Sequence, residues 1–204
     1  FNPQSPYAVA KLFAYHTIKN YREAYNMFAS NGILFNHESP LRGETFVTKK
    51  ITTAAAKIYY GISNKLYLGN LDAKRDWGHA KDYVKGMWGI LQYKEPEDFV
   101  LATNKNYTIR EFAKMVFLQI GVEVEFTGRG INEVGIVTKV NSGAEIKVGQ
   151  EIIKIDERYY RPSDVNNLLG DYSKAKKLLG WEPKYDIHSL IKEMVDYDLE
   201  LLKP

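Results

Sequence analysis

Cysteine is absent from the 204-residue sequence, which excludes a disulfide framework and any thiolate metal site and fits a reducing, cytoplasmic setting. Neither sign of charge dominates. Lys plus Arg number 28 against 25 for Asp plus Glu, and the two signs alternate along the chain without basic blocks, so neither nucleic acid nor a membrane surface is an expected partner. No apolar run approaches the roughly 18 residues that a membrane span needs, and no signal-peptide pattern opens the chain. Repeats, low-complexity segments and dividing linkers are also missing. What is present is 45% hydrophobic content, enough for one large domain or a domain with a smaller lobe. The chain starts at Phe1 without an initiator Met, and Ser5-Pro6 reads as a helix N-cap and first-turn pair only a few residues in. The expectation is a C-terminal piece of something longer.

Periodicity and punctuation predict alternating helices and strands, hence an α/β fold. A helix is expected from about Pro6 to Tyr25, then a strand at Ile33-Leu34-Phe35 buried on both faces, with a polar exit loop from Asn36 to Arg42. Phe46, Val47, Ile51, Ala54 and Ile58 recur at helical spacing and stop at Gly61, and Leu66-Tyr67-Leu68 reads as a strand. Val84, Trp88 and Leu91 mark a further helix closed by Pro96, followed by a strand from Phe99 to Ala102. Thr108-x-x-Glu111 is a capping box opening a helix with Phe112, Val116 and Ile120 on its apolar side. From about Gly128 to Asp156, β-branched stretches around Asn141-Ser142-Gly143 and Gly149 predict a hairpin excursion. Two helices close the chain, over Ser173 to Leu179 and Ile187 to Leu202, separated by Gly180-Trp181-Glu182-Pro183.

Tyr7 and Lys11 stand four apart on the first helix and so share a face, with Ala8 and Ala10 leaving room for a ligand. The same spacing recurs at Tyr15/Lys19 and Tyr172/Lys176, so a plain surface pair is the readier reading of spacing alone. For a phenol to serve as a base at neutral pH, its pKa near 10 must fall by about 3, equivalent to about 4 kcal/mol. An ammonium about 6 Å away at an effective dielectric near 20 supplies roughly 3 kcal/mol. A second positive charge, such as an oxidised nicotinamide ring, makes up the difference, so the chemistry asks for NAD(P) beside the pair. The loop Asn36-His37-Glu38-Ser39-Pro40 follows a strand, where ligands gather in open α/β sheets. His37 and Glu38 admit three readings: a ligand-contacting loop, plain loop hydrogen bonding, or a metal site that lacks a third ligand nearby. Lys49, Lys50, Arg75 and Arg161 are cations that could converge on a diphosphate, each being a solvated surface charge in the plainer reading.

Taken together these segments resemble the extended short-chain dehydrogenase/reductases, and within them the GDP-mannose 4,6-dehydratases. The resemblance is carried by Ser5-Pro6-Tyr7-Ala8-Val9-Ala10-Lys11, by the run Gly32 to Pro40, by Leu68 to Val84 with its Arg75-Asp76-Trp77-Gly78-His79-Ala80, by Pro96-Glu97-Asp98-Phe99-Val100, by Tyr160-Arg161-Pro162 and by Lys174 to Pro183. The last stretch is shared with many nucleotide-sugar epimerases and dehydratases. The resemblance implies the C-terminal part of an NAD(P)-binding Rossmann-type enzyme with a smaller α/β substrate-binding lobe. Residues 1–36 would be the remaining Rossmann part, and 37–204 mainly the substrate lobe, with returning Rossmann elements at about 70–103 and the hairpin insertion at about 128–156.

In such enzymes Tyr7 would remove the proton from the sugar C4 hydroxyl while hydride passes to NADP, with Lys11 holding the nicotinamide ribose. A glutamate would then take the C5 proton, water would leave C6, and the hydride would return there, giving a 4-keto-6-deoxy sugar from GDP-mannose. By position, His37 and Arg42 would contact NADP, and Asn36, Val47, Lys50, Gly69, Arg75 and Arg161 the GDP-sugar, with Asp164 near its ribose; no metal is implied. The loop Leu41 to Thr45 looks like the segment reaching a neighbouring subunit, which implies a homo-oligomer, dimer or tetramer. The chain departs from the family pattern in having Leu41-Arg42 for two arginines, Lys50 for arginine and Asp164 for glutamate. It also contains neither a G-x-x-G-x-x-G dinucleotide loop nor the Thr-x-Glu segment that supplies the C5 base, both expected upstream of Phe1. The alternatives are an epimerase or dehydratase for dTDP- or UDP-sugars, and a non-catalytic nucleotide-sugar binding module.

Overall fold

A computed structural model describes residues 2–160 and 165–204. Along the chain run α1 (Pro6–Tyr25), β1 (Gly32–Leu34), β2 (Asn36–Glu38), α2 (Val47–Tyr59), β3 (Leu66–Leu68), β4 (Lys74–Arg75), β5 (Trp77–His79), α3 (Ala80–Gln92) and β6 (Phe99–Leu101). They are followed by β7 (Tyr107–Thr108), α4 (Ile109–Gln119), β8 (Val122–Thr127), β9 (Val134–Val140), β10 (Glu151–Ile155), α5 (Ser173–Leu179) and α6 (Ile187–Leu202). No helix among the described residues is long and apolar enough to cross a membrane. The elements fall into two compact units, one of Phe1–His37, Arg75–Asn106 and Pro162–Tyr185, the other of Glu38–Lys74, Tyr107–Arg161 and Asp186–Pro204.

The first unit is organised on β1 and β6, paired in parallel with Gly32 opposite Phe99 and Leu34 opposite Leu101. A parallel pair needs a crossover, and α3 supplies it. Its core is Tyr83, Ile90, Phe99, Leu101, Ala175 and Trp181, drawn from α3, β6, the first turn of α5 and the segment just after it. The inward stripe of α3 is Tyr83, Gly86 and Ile90, whereas Val84, Trp88 and Leu91, which mark the helix in the sequence, are exposed. They fix the helix but not its buried face, because the close packing of Leu101 and Trp181 against α3 is made at Gly86, which carries no hydrophobic signal. β1 differs from expectation in a related way: Ile33 is 38% exposed because its outer face looks into an open cleft below α1.

The second unit has a four-stranded sheet in the order β3-β10-β9-β8. β10 runs parallel to β3 and antiparallel to β9, which is antiparallel to β8. The segment read as an excursion does form antiparallel strands, but β10 continues the sheet onto β3 and is integral to it. A register shift between Glu151 and Ile153 allows the consecutive residues Ile152 and Ile153 both to be buried, against simple alternation. The helices α2, α4 and α6 pack on one another, each offering a stripe at three-to-four spacing: Ile51, Ala55 and Ile58; Phe112, Val116 and Ile120; Leu190, Met194 and Asp198. The capping box at Thr108 and Glu111 forms as expected, with each side chain bound to the other residue's backbone N–H.

Candidate functional site

The first unit holds a cleft of about 740 Å³ whose walls are α1 on one side and the stretch from Ser30 to Leu34 on the other. Ser5 caps α1, its hydroxyl accepting from the Ala8 N–H at 3.1 Å, and Pro6 fills the first helical position where no N–H is needed. That start fixes Tyr7 and Lys11 in the first turns. The Lys11 Nζ lies 5.5 Å from the centre of the Tyr7 ring, and the phenol is 72% exposed. Tyr7, Lys11 and His37 all line the cleft. The His37 Nδ1 is 2.9 Å from the Phe35 carbonyl oxygen, which can only accept, so Nδ1 donates to it and Nε2 is the ring nitrogen left for other contacts. Stacking on Tyr83, with ring centres 5.0 Å apart, holds that orientation. Asn36 is half-buried at the start of β2 in the same unit.

Beyond Arg75 lies a carboxylate to which sequence reading gave no role. Asp76 is fully buried and accepts from the Thr103 N–H at 2.9 Å, the Thr103 hydroxyl at 2.7 Å and the Gly170 N–H at 3.2 Å. Burial pushes its carboxyl above the usual 3.8, the hydrogen bonds from Thr103 and Gly170 opposing the rise. It ties the stretch around Gly170 to the end of β6, where a side chain at 170 would meet the Ala102 Cβ at 2.3 Å, so only glycine fits. Arg75 itself donates to the Val165 carbonyl at 2.6 Å. In the sequence Asp76 stands out only as a member of the Arg75-to-Ala80 run, and nothing local marks it as buried.

Asp76→Ala should cost about 2 to 3 kcal/mol, since it leaves buried donors unpaired. Asp76→Asn keeps one acceptor but sets an amide N–H against a donor. Because the native pKa is raised, the carboxyl favours folding more as pH falls from that value towards 3.8, so the stability gap between wild type and Asp76→Asn should widen over that interval. Urea titrations at neutral and mildly acidic pH measure this.

In the second unit, Glu38 is buried, accepts from the Thr48 hydroxyl at 2.6 Å and pairs with the Arg42 Nε at 3.1 Å. The Arg42 guanidinium sits 3.5 Å from the centre of the Phe46 ring, just before Val47 opens α2. The neighbouring lysines separate. Lys49 is buried, donating to Asp198 and to the Pro40 carbonyl at 2.8 Å, so it is spent on holding α2 to α6 and is not a diphosphate contact. Lys50 lies one step round the helix, its Nζ 3.2 Å from the centre of the Tyr159 ring. Gly69 belongs to the same cluster: a Cβ there would approach the Tyr159 carbonyl oxygen to 2.4 Å. Asp156 is held at about 2 by its hydrogen bonds from Arg158, with Lys50 adding attraction.

Tyr7, Lys11 and His37 are thus gathered in the first unit, where Asn36 and Arg75 also lie, and Lys50 and Gly69 in the second, where Arg42 and Val47 lie. Arg161 and Asp164 fall outside the described residues. Tyr159 was not anticipated, since a tyrosine without a motif gives no signal. Among the described residues no three His, Cys, Asp or Glu side chains are placed to hold a metal ion.

Residues 1–194 match the family model described as GDP-mannose 4,6 dehydratase. The chain is 54% identical to GDP-mannose 4,6-dehydratase of Yersinia enterocolitica, covering all of this chain and 55% of that protein. It is 51% identical to GDP-mannose 4,6 dehydratase of Homo sapiens, covering all of this chain and 52% of that one. The chain spans about half the length of the curated relatives it matches. Among solved structures it resembles RMD from Pseudomonas aeruginosa complexed with NADPH, with a TM-score of 0.75 at 18% identity over 98% of this chain and 57% of that chain. It also resembles dTDP-glucose 4,6-dehydratase from Bacillus anthracis in complex with NAD, with a TM-score of 0.73 at 20% identity over 97% and 53%. The fold is that of the extended short-chain dehydrogenase/reductases, α/β with parallel strand pairs. By the match over residues 1–194 and identities above one half, the chain belongs to the GDP-mannose 4,6-dehydratase family.

Proposed function

We propose that this chain supplies the acid–base pair and the sugar-nucleotide contacts of a GDP-mannose 4,6-dehydratase, which turns GDP-D-mannose into GDP-4-keto-6-deoxy-D-mannose and water. The observation that carries this reading is the placing of Tyr7, Lys11 and His37 around one cleft. A phenol beside an ammonium can take the proton of the sugar C4 hydroxyl, and the Lys11 charge favours the phenolate that does so. Lys11 offers an ammonium donor and His37 a ring nitrogen to a ribose or amide at the same cleft. The residues fit the nicotinamide end of a dinucleotide, whereas the sequence holds no glycine-rich loop for its pyrophosphate. A nicotinamide dinucleotide bound there, NADP in preference to NAD, would supply hydride transfer. Arg42 is assigned to the cofactor; Asn36, Val47, Lys50, Gly69, Arg75, Arg161 and Asp164 to the GDP-sugar; and the loop from Leu41 to Thr45 to contact between subunits of a homo-oligomer.

The test joins this chain to the part of the Yersinia enterocolitica relative that the match leaves uncovered. Given NADP and GDP-mannose, the joined protein should yield a product lighter by one water. An epimer of unchanged mass would exclude dehydration. In calorimetry GDP should bind more tightly than UDP or dTDP, and equal or weaker binding of GDP defeats the base assignment. A non-catalytic module would bind the GDP-sugar without NADP and leave it unchanged.

A further inference from the structure

The helix that carries Tyr7 and Lys11 has no buried residue. Its inward stripe is Ala8, Leu12, Tyr15, Ile18 and Arg22, at three-to-four spacing, and every member is only half-buried. Within this chain the cleft lies between that stripe and the strands. The stripe ends in a polar contact. The Arg22 Nη1 donates to the Asp98 Oδ1 at 2.8 Å and to the Ala29 carbonyl at 3.1 Å, while its Nη2 reaches the Asp98 Oδ2 at 3.3 Å.

Asn31 completes the arrangement. Its backbone N–H donates to the Asp98 Oδ1 at 3.0 Å, and its side-chain amide donates both to that oxygen at 3.2 Å and to the Tyr15 carbonyl at 3.3 Å, halfway along α1. The Phe99 N–H returns to the Asn31 carbonyl at 3.0 Å, so the carboxylate sits where β6 begins. Asn31 is 8% exposed, and the Arg22 and Asp98 side chains are 16% and 18% exposed, which protects these bonds from water. Burial alone would raise the Asp98 carboxyl, yet the Arg22 and Asn31 bonds hold it below 3.8.

We infer that Arg22, Asn31 and Asp98 form a polar clamp that sets the stand-off of α1 from β1 and so positions Tyr7 and Lys11 over the cleft. They are positioning residues, and their catalytic meaning rests on the function proposed above. Bidentate pairing suits this work because the guanidinium plane fixes orientation as well as distance. A displacement of about 1 Å at the reacting groups can cost about 100-fold in rate.

Amide hydrogen exchange on the chain tests the clamp without any assumption about catalysis. Asp98→Asn should speed exchange in α1 by about tenfold or more while β6, α3 and α5 stay as protected as in wild type. The milder Arg22→Gln should act in the same direction, and Arg22→Lys, which keeps the charge and loses the fork, should restore part of the protection. Unchanged exchange in α1, or an equal loss across β6, α3 and α5, overturns the clamp. In the joined protein described above, Asp98→Asn should lower kcat about 10- to 100-fold with KM within about threefold. A fall in stability without that split removes the positioning role. Should the wild-type joined protein fail to dehydrate GDP-mannose while α1 still loosens selectively, the function is refuted and the clamp stands.

Discussion

Tyr7→Phe should lower kcat for dehydration of GDP-mannose by about 1000-fold, or roughly 4 kcal/mol of barrier, with little change in KM. The substitution deletes one oxygen and leaves the ring that the Lys11 ammonium faces. In this chain the Tyr7 side chain is 72% exposed, so the melting temperature of the chain by itself should move by no more than about 2 °C. Lys11→Met should also slow the reaction, because it removes the positive charge that lies 5.5 Å from the ring centre. A Tyr7→Phe enzyme with wild-type turnover would assign the proton transfer elsewhere. The experiment is done in the joined protein with NADP present.

Asp198→Ala should destabilise the second unit by about 3 to 5 kcal/mol. The side chains of Lys49 and Asp198 are 7% and 1% exposed, so removing the carboxylate strands an ammonium with one carbonyl partner, that of Pro40. The Thr53 hydroxyl, which donates to the other Asp198 oxygen at 3.2 Å, loses its acceptor as well. Replacing both partners, as Lys49→Met with Asp198→Leu, should recover most of the loss, because a buried ion pair offsets much of its attraction by desolvation. The double-mutant cycle in urea measures the coupling. If Asp198→Ala costs less than about 1 kcal/mol, the pair is solvated and Lys49 becomes available to a ligand.

This pair also shows where sequence reading stops. Lys49 and Lys50 are indistinguishable as letters, yet a step of about 100° round α2 sends one into contact with α6 and the other to Tyr159. The partner that decides the matter lies in the last helix, and nothing local to Lys49 announces it. Helix limits were far more legible: Ser5 and Asp186 cap the starts of α1 and α6, and Gly180 in the left-handed region ends α5, since capping is a property of adjacent residues. The buried side of α3 was not legible, because Val84, Trp88 and Leu91 mark the helix while the stripe that packs inward contains a glycine. In the candidate site, the Tyr-x-x-x-Lys pair was visible as a motif, whereas Asp76, Tyr159 and the group around Asp98 act through contacts distant in sequence.

The parallel join of β10 to β3 bears on how the polypeptide is made. Leu66 pairs in register with Ile153, so β3 leaves the ribosome and then waits for roughly ninety further residues, on the order of 4 to 17 s at ordinary elongation rates, before its neighbour exists. During that interval its backbone donors and acceptors are open to other nascent chains, and slowing translation between the two strands should lower the yield of native protein.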